Sequence, residues 1–114
     1  MVIGIYGISS QSGRAFLADY LNKKYTVIGY TRPTPHGIEV LDAIHNLGGL
    51  YLERPENKNH EISKFIPLGK SCVTSDLSYI VDNSDIIIIP LPSTAHIPAV
   101  EEMNKVGLWR RRVP

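Results

Sequence analysis

The sequence has little cysteine, little excess charge and no long apolar run, and each shortage argues against a class of protein. Its one cysteine, Cys72, cannot form an intrachain disulfide or a cysteine metal cluster. The formal net charge of +1 gives no basis for nucleic-acid binding. No run approaches the roughly 20 apolar residues that span a bilayer, and no charged segment with a cleavage site marks a signal peptide. We therefore predict a cytoplasmic protein with no metal and with no nucleic-acid or membrane partner.

What the 114 residues do contain is an alternation of strand-like and helix-like segments. Helical spacing of apolar residues predicts helices at Ser12–Leu21 and Ile38–Leu47, and after Asp76 and Thr94. Alternation of this kind predicts an α/β fold, a Rossmann-like doubly wound parallel sheet with helices on both faces. The predicted strands are Val2–Tyr6, Tyr25–Tyr30, Cys72–Thr74 and Asp85–Leu91, with Val2–Tyr6 central and Ile86–Ile89 buried on both faces.

Two regions depart from a regular doubly wound fold. Around residues 50–66, Leu50–Leu52 and Phe65–Ile66 are predicted to pair as a small hairpin excursion. The sequence also predicts an incomplete second half, since only one strand follows the first βαβαβ unit. We expect a dinucleotide-binding domain at 1–105 and an irregular basic tail at 106–114, as in a truncated longer enzyme. The open sheet edge then predicts a homo-oligomer that forms through it.

The loop after the first strand is the most informative motif. Gly7 ends the strand and Gly13 opens the helix, and between them lie Ile8, Ser9, Ser10, Gln11 and Ser12. Such a loop lets the backbone approach a phosphate, and the helix N-terminus offers N–H donors. The spacing is not G-x-G-x-x-G, because Ser9 replaces the second glycine and Gly13 comes one residue late. The motif favours a dinucleotide-phosphate loop, with an ordinary strand-to-helix turn as the alternative.

A P-loop is a poorer match for the same segment. That motif requires Lys followed by Ser or Thr after its last glycine, and Arg14 and Ala15 stand there instead.

The end of the second strand bears on the identity of the dinucleotide. An NAD site usually has Asp or Glu at this position, whereas an NADP site has Arg near the 2′-phosphate. This chain has Thr31 and Arg32 and no acid. A hydroxyl and a guanidinium can both bind phosphate oxygens, so the sequence favours NADP over NAD. Arg32 as an ordinary surface arginine is the alternative.

A third loop follows the last predicted strand, and the carboxyl ends of parallel strands meet at one edge of a sheet. The loops after Gly7, Tyr30 and Leu91 are therefore predicted to converge. His96 follows the third loop and is a candidate for proton transfer. A surface histidine in the first turn of a helix is the alternative.

Four segments together resemble a known family: Gly7–Ala15, Gly48–Leu52, Val73–Leu77 and Asn83–His96. They are similar to the N-terminal domain of the octopine/nopaline (opine) dehydrogenases. The resemblance implies a domain that binds NADPH or NADH, with Leu91, Pro92 and Ser93 along the dinucleotide. In that family the full-length enzyme reductively couples an amino acid to a 2-oxo acid. Its catalytic histidine and substrate pocket belong to a helical C-terminal domain, so we expect a small-molecule substrate only with a second domain.

Two other functions stay open. One is a dinucleotide-binding module without chemistry. The other is a nucleotide-sugar epimerase or reductase domain, because Gly7, Ser10 and Gly13 fit G-x-x-G-x-x-G with serine in the middle. That class requires a Tyr-x-x-x-Lys pair, which Tyr20 and Lys24 match by spacing alone, on the first helix.

Overall fold

A computed structural model describes residues 1–52 and 64–107, apart from the side chains of Leu52 and Ser93. Its elements alternate strand and helix as the sequence predicts. In chain order they are β1 (Val2–Tyr6), α1 (Gln11–Asn22), β2 (Thr26–Tyr30), α2 (Pro35–Leu47), β3 (Gly49–Leu52), β4 (Lys64–Pro67), β5 (Cys72–Thr74), α3 (Leu77–Asn83), β6 (Ile86–Ile88), a 3₁₀ turn (Ser93–Ala95) and α4 (His96–Lys105).

Four strands form one parallel sheet in the order β5-β2-β1-β6. The Rossmann-like α/β prediction is confirmed, and β1 lies inside the sheet between β2 and β6. The predicted hairpin pairing is also confirmed, since β3 and β4 pair antiparallel with Leu50 opposite Ile66. The polar segment between them, residues 53–63, lies outside the described residues, as does most of the predicted tail, residues 108–114.

The side chains of the sheet divide between two cores because successive strand residues point to opposite faces. On one face, Ile5, Val27 and Val73 pack with α1 and α2. On the other face, Tyr6 and Tyr30 pack with α3 and α4. Both layers leave the carboxyl ends of the strands, and the loops that follow them, at one edge of the sheet.

The helix beginnings differ from the prediction where a cap overrides the apolar spacing. Helix α1 begins at Gln11, because Ser10 caps it. Helix α2 begins at Pro35 rather than Ile38, with Thr34 as its N-cap. Pro35 is compatible with this start, because the first turn of a helix does not need the N–H that proline lacks.

The last strand, β6, differs most from the sequence prediction. We expected Ile86–Ile89 to be buried on both faces, but Ile86 is 47% exposed and Ile87–Ile89 are half-buried. Among the described residues β6 pairs only with β1, so it is an edge strand of the sheet. An isoleucine run predicts a strand, but burial also requires a neighbour on each side.

Helix α4 was expected directly after Thr94, but it begins at His96, after the 3₁₀ turn. Ala95 at its N-cap makes no side-chain hydrogen bond. Within residues 1–52 and 64–107, no helix has the length and apolar character needed to cross a membrane.

We predict that Ile80→Ala destabilises the fold far more than Ile97→Ala. Ile80 on α3 is fully buried against the sheet, so its loss should cost about 2–5 kcal/mol. Ile97 on α4 is 71% exposed, and its loss should change stability by no more than about 0.5 kcal/mol. Urea unfolding of both variants measures the difference. Equal costs would contradict the packing of α3 under the sheet.

Candidate functional site

The loop after β1 is tied directly to the end of β2. The backbone N–H groups of Gly7 and Ile8 both donate to the carbonyl oxygen of Tyr30, at 2.8 and 2.9 Å. Gly7 has a φ of +111°, a region that other residues rarely adopt. The Ile8 side chain is fully buried in the core under α1 and α2. These contacts hold the first two strand-end loops side by side.

The N-terminus of α1 lies against the end of β1 because Gly13 has no side chain. A Cβ at Gly13 would overlap the carbonyl group of Gly7. Close helix–strand packing is the role of the last glycine in the dinucleotide fingerprint. Gly13 therefore takes that role although it comes one residue late in the sequence.

Ser10 closes the loop and leaves two donors of the helix exposed. Its hydroxyl donates to the Gly7 carbonyl oxygen at 2.9 Å and accepts from the Gly13 N–H at 3.0 Å. The N–H groups of Gln11 and Ser12, which follow Ser10, have no hydrogen-bond partner within the described part of the chain. Both residues are exposed. Unpaired donors at a helix N-terminus favour an anion.

Two basic side chains brace the outer part of this loop. The Arg14 guanidinium donates to the carbonyl oxygens of Ile8 and Ser9, at 3.2 and 2.8 Å. The Nε2 atom of His36, in the first turn of α2, lies 3.2 Å from the same Ser9 oxygen. The Arg14 guanidinium therefore places a positive charge beside the exposed N–H groups.

The third loop meets the first one through Leu91. Its side chain packs on Gly7 so closely that a Cβ there would lie 2.9 Å from Leu91 Cδ2. His96 contacts the Leu91 carbonyl oxygen through Nε2 at 2.8 Å, and its ring is exposed. Pro92 is exposed too, and Ser93 begins the 3₁₀ turn. The predicted convergence of the three loops is thus present in the structure.

Thr31 is placed differently from the expectation. Its side chain is fully buried, and its hydroxyl donates to the Arg32 carbonyl oxygen at 3.1 Å. Its N–H donates to the Thr74 carbonyl oxygen at 3.0 Å. In this position Thr31 fixes the backbone of the second loop and does not present its hydroxyl to a ligand in solvent.

Arg32 is exposed and already has a partner. Its Nη2 atom lies 2.8 Å from Oε1 of Glu102 on α4, and Oε2 of Glu102 accepts the Tyr6 hydroxyl at 2.7 Å. The Tyr6 ring packs on Tyr30, with 5.0 Å between centroids. Burial, together with the hydrogen bond to Glu102, raises the pKa of Tyr6 well above its usual value, so the phenol stays protonated.

Sequence reasoning missed Glu102. It lies 70 positions after Arg32 in a helix whose charged residues look like ordinary surface residues, and only the packing of α4 brings the two together. The one available signal was a tyrosine at the buried end of β1, since a buried phenol requires a hydrogen-bond partner.

The epimerase-type pair lies away from this edge. Tyr20 is on α1, where its ring packs with Phe16 and Tyr25 at 6.0 and 5.9 Å between centroids. Lys24 follows the end of α1, just before β2, and so lies near the amino ends of the strands. In the described residues no three His, Cys, Asp or Glu side chains converge as a metal site would require.

Comparison with protein-family models, with curated proteins and with solved structures gave no match. The resemblance to opine dehydrogenases thus rests on the sequence motifs, and the candidate site rests on its own geometry.

We predict that Gly7→Ala destabilises the protein more than Gly48→Ala. Both glycines have positive φ, +111° and +72°, so alanine is strained at either position; in the left-handed conformation of Gly48 the cost is about 1–2 kcal/mol. Only at Gly7 does the new methyl also meet Leu91, which should add about 1–3 kcal/mol.

Urea unfolding of both variants tests this difference. In a Leu91→Ala background the cost of Gly7→Ala should fall toward that of Gly48→Ala. If Leu91→Ala leaves the cost unchanged, the third loop does not pack on the first as described.

Proposed function

We propose that this chain binds a dinucleotide, NADP in preference to NAD, at the carboxyl edge of its parallel sheet. We propose further that it serves as the cofactor domain of an opine-dehydrogenase-like oxidoreductase, whose substrate site is completed by a second domain. The alternative is a dinucleotide-binding module that performs no chemistry.

The observation that carries the binding proposal is the convergence of three strand-end loops on Gly7. Its N–H donates to the Tyr30 carbonyl oxygen, and the Leu91 side chain packs on its Cα. In open α/β sheets a ligand binds at the carboxyl ends of the strands, where the order of strands reverses. Here the chain passes from β1 to β2 on one side and later returns to β6 on the other. The strand order therefore reverses at β1, the strand that ends next to Gly7.

The chemistry of the residues at this edge suits a dinucleotide. The free N–H groups of Gln11 and Ser12 supply donors for a pyrophosphate, and the nearby Arg14 adds positive charge. The exposed guanidinium of Arg32 supplies a charge-assisted contact for a 2′-phosphate. No acidic residue stands directly at the end of β2, where an NAD site would place one. We therefore retain NADP as the favoured cofactor.

The oxidoreductase part of the proposal is supported by the motif resemblance. When bound, the nicotinamide would supply a hydride. The described residues offer His96 near that end of the site. Because a carbonyl oxygen only accepts, the Nε2 atom of His96 carries a proton in its contact with Leu91, which leaves Nδ1 as the free nitrogen. His96 is exposed, so other groups would have to exclude water from the reaction.

We predict that Arg32→Ala weakens NADP binding about tenfold and leaves NAD binding nearly unchanged. A hydrogen bond between charged groups contributes about 1.5 kcal/mol or more, and the exposure of this arginine favours the lower end of the range. Calorimetric titrations of both dinucleotides at low salt measure the change, since salt screens an exposed contact.

The matched control for Arg32→Ala is Lys23→Ala. Lys23 is also exposed and ion-paired, with Asp19 at 3.0 Å, but it lies just beyond α1, away from the three loops. It should leave both affinities unchanged. If wild-type protein binds neither dinucleotide, the proposed site is wrong. If Arg32→Ala weakens both cofactors equally, Arg32 contacts a group they share rather than the 2′-phosphate.

We predict that the 114-residue chain alone shows no turnover with NADPH, amino acids and 2-oxo acids. Catalysis requires the hydride donor, its acceptor and a proton donor to be held together away from water. Nicotinamide absorbance follows the reaction, and NADPH binding measured on the same sample is the control. Turnover that is lost in His96→Ala would overturn this prediction and make His96 a catalytic residue.

A further inference from the structure

Glu102 is the acidic group nearest to the cation proposed for the 2′-phosphate, and both of its oxygens are engaged. Oε1 lies 2.8 Å from Arg32 Nη2, and Oε2 accepts the Tyr6 hydroxyl at 2.7 Å. The Tyr6 ring is buried in the core between the sheet and helices α3 and α4. A buried strand residue therefore holds the carboxylate in place, and the position of Glu102 does not depend on Arg32 alone.

The two partners differ in how far solvent reaches them. The Arg32 side chain is 64% exposed, whereas that of Glu102 is 29% exposed. A guanidinium has five N–H donors, so Arg32 can contact Glu102 and still offer donors to solvent. A phosphate that approaches Arg32 consequently meets a cation whose charge is partly neutralised by the Glu102 carboxylate.

We infer that Glu102 sets the discrimination between 2′-phosphorylated and unphosphorylated dinucleotides by acting as the fixed counter-ion of Arg32. This inference rests on the proposed function, in which Arg32 contacts the 2′-phosphate. Glu102 weakens binding of the phosphorylated cofactor because it reduces the positive charge that Arg32 presents to the 2′-phosphate. This effect does not act on a cofactor with a bare 2′-hydroxyl. Glu102 is thus a specificity-determining residue that makes no contact with the cofactor.

The direct test is Glu102→Gln, which removes the charge and retains an amide oxygen for the Tyr6 hydroxyl. We expect NADP to bind about fivefold more tightly, as removal of one partly exposed charge near an anion predicts. NAD affinity should change less than twofold. Glu102→Ala removes the same charge with a smaller side chain and should shift NADP affinity in the same direction, should the glutamine variant fold poorly.

Two controls separate charge from other effects. Glu101→Gln makes the same change in net charge one residue away, at an exposed position with no ion pair among the described residues. It should leave the preference for NADP unchanged. Tyr6→Phe removes one hydrogen bond to Glu102 but keeps the carboxylate charge and the ion pair with Arg32, so it should shift the NADP preference less than Glu102→Gln does.

A double-mutant cycle tests whether Glu102 acts through Arg32. In an Arg32→Ala background, Glu102→Gln should lose most of its effect on NADP affinity. A purely structural role for Glu102 would not show this dependence, because it would alter NADP and NAD binding together.

The outcomes distinguish this inference from the proposed function. If the wild-type chain binds neither NADP nor NAD, the proposed function fails and the inference fails with it. If both bind and Glu102→Gln leaves the NADP preference unchanged or lowers it, the inference alone is overturned. A selective gain in NADP affinity that requires Arg32 supports it.

Discussion

The candidate site depends on one close approach, that of helix α1 to the end of strand β1. Gly13 lies against the Gly7 carbonyl group with no room for a side chain between them. This contact places the N-terminus of α1 at the carboxyl edge of the sheet. The exposed N–H groups of Gln11 and Ser12, the bracing contacts of Arg14 and the packing of the third loop are all arranged around it.

Charge is distributed unevenly around this edge. Arg14 lies beside the first loop and satisfies backbone carbonyl groups there. Arg32 lies beside the second loop and is paired with Glu102, whose other oxygen is bonded to Tyr6. Arg14 therefore stabilises the loop conformation, whereas the charge of Arg32 is balanced by Glu102 on α4, a helix of the opposite layer. For this reason, a residue of α4 would affect the affinity of a 2′-phosphate site at Arg32.

The strand order also leaves β6 at an edge of the sheet where a further strand can pair. In the described residues, β6 pairs with β1 alone, and Ile86 is half exposed at that edge. Backbone groups on an unpaired strand edge are available for pairing with another strand. A second copy of this chain or a further domain would satisfy them equally well, so the edge does not by itself favour either partner.

The architecture was predictable from the sequence because it depends on local patterns. Alternating strand and helix periodicity predicted a parallel sheet, and the glycines at 7 and 13 predicted the loop on it. The helix starts at Gln11 and Pro35 were missed because caps at Ser10 and Thr34 outweigh apolar spacing. These differences are local, because the first residue of each helix depends on the capping residue beside it.

The sequence by itself determined the class of fold, the position of the candidate phosphate loop and the presence of a cation after β2. Only the tertiary structure decided that Thr31 is buried, that Ile86 lies at an edge, and that Glu102 holds Arg32. The physical reason is that burial and pairing depend on neighbours distant in sequence. Residue type and spacing specify which element forms, whereas the packing of α4 and the number of strands beside β6 specify what each side chain contacts.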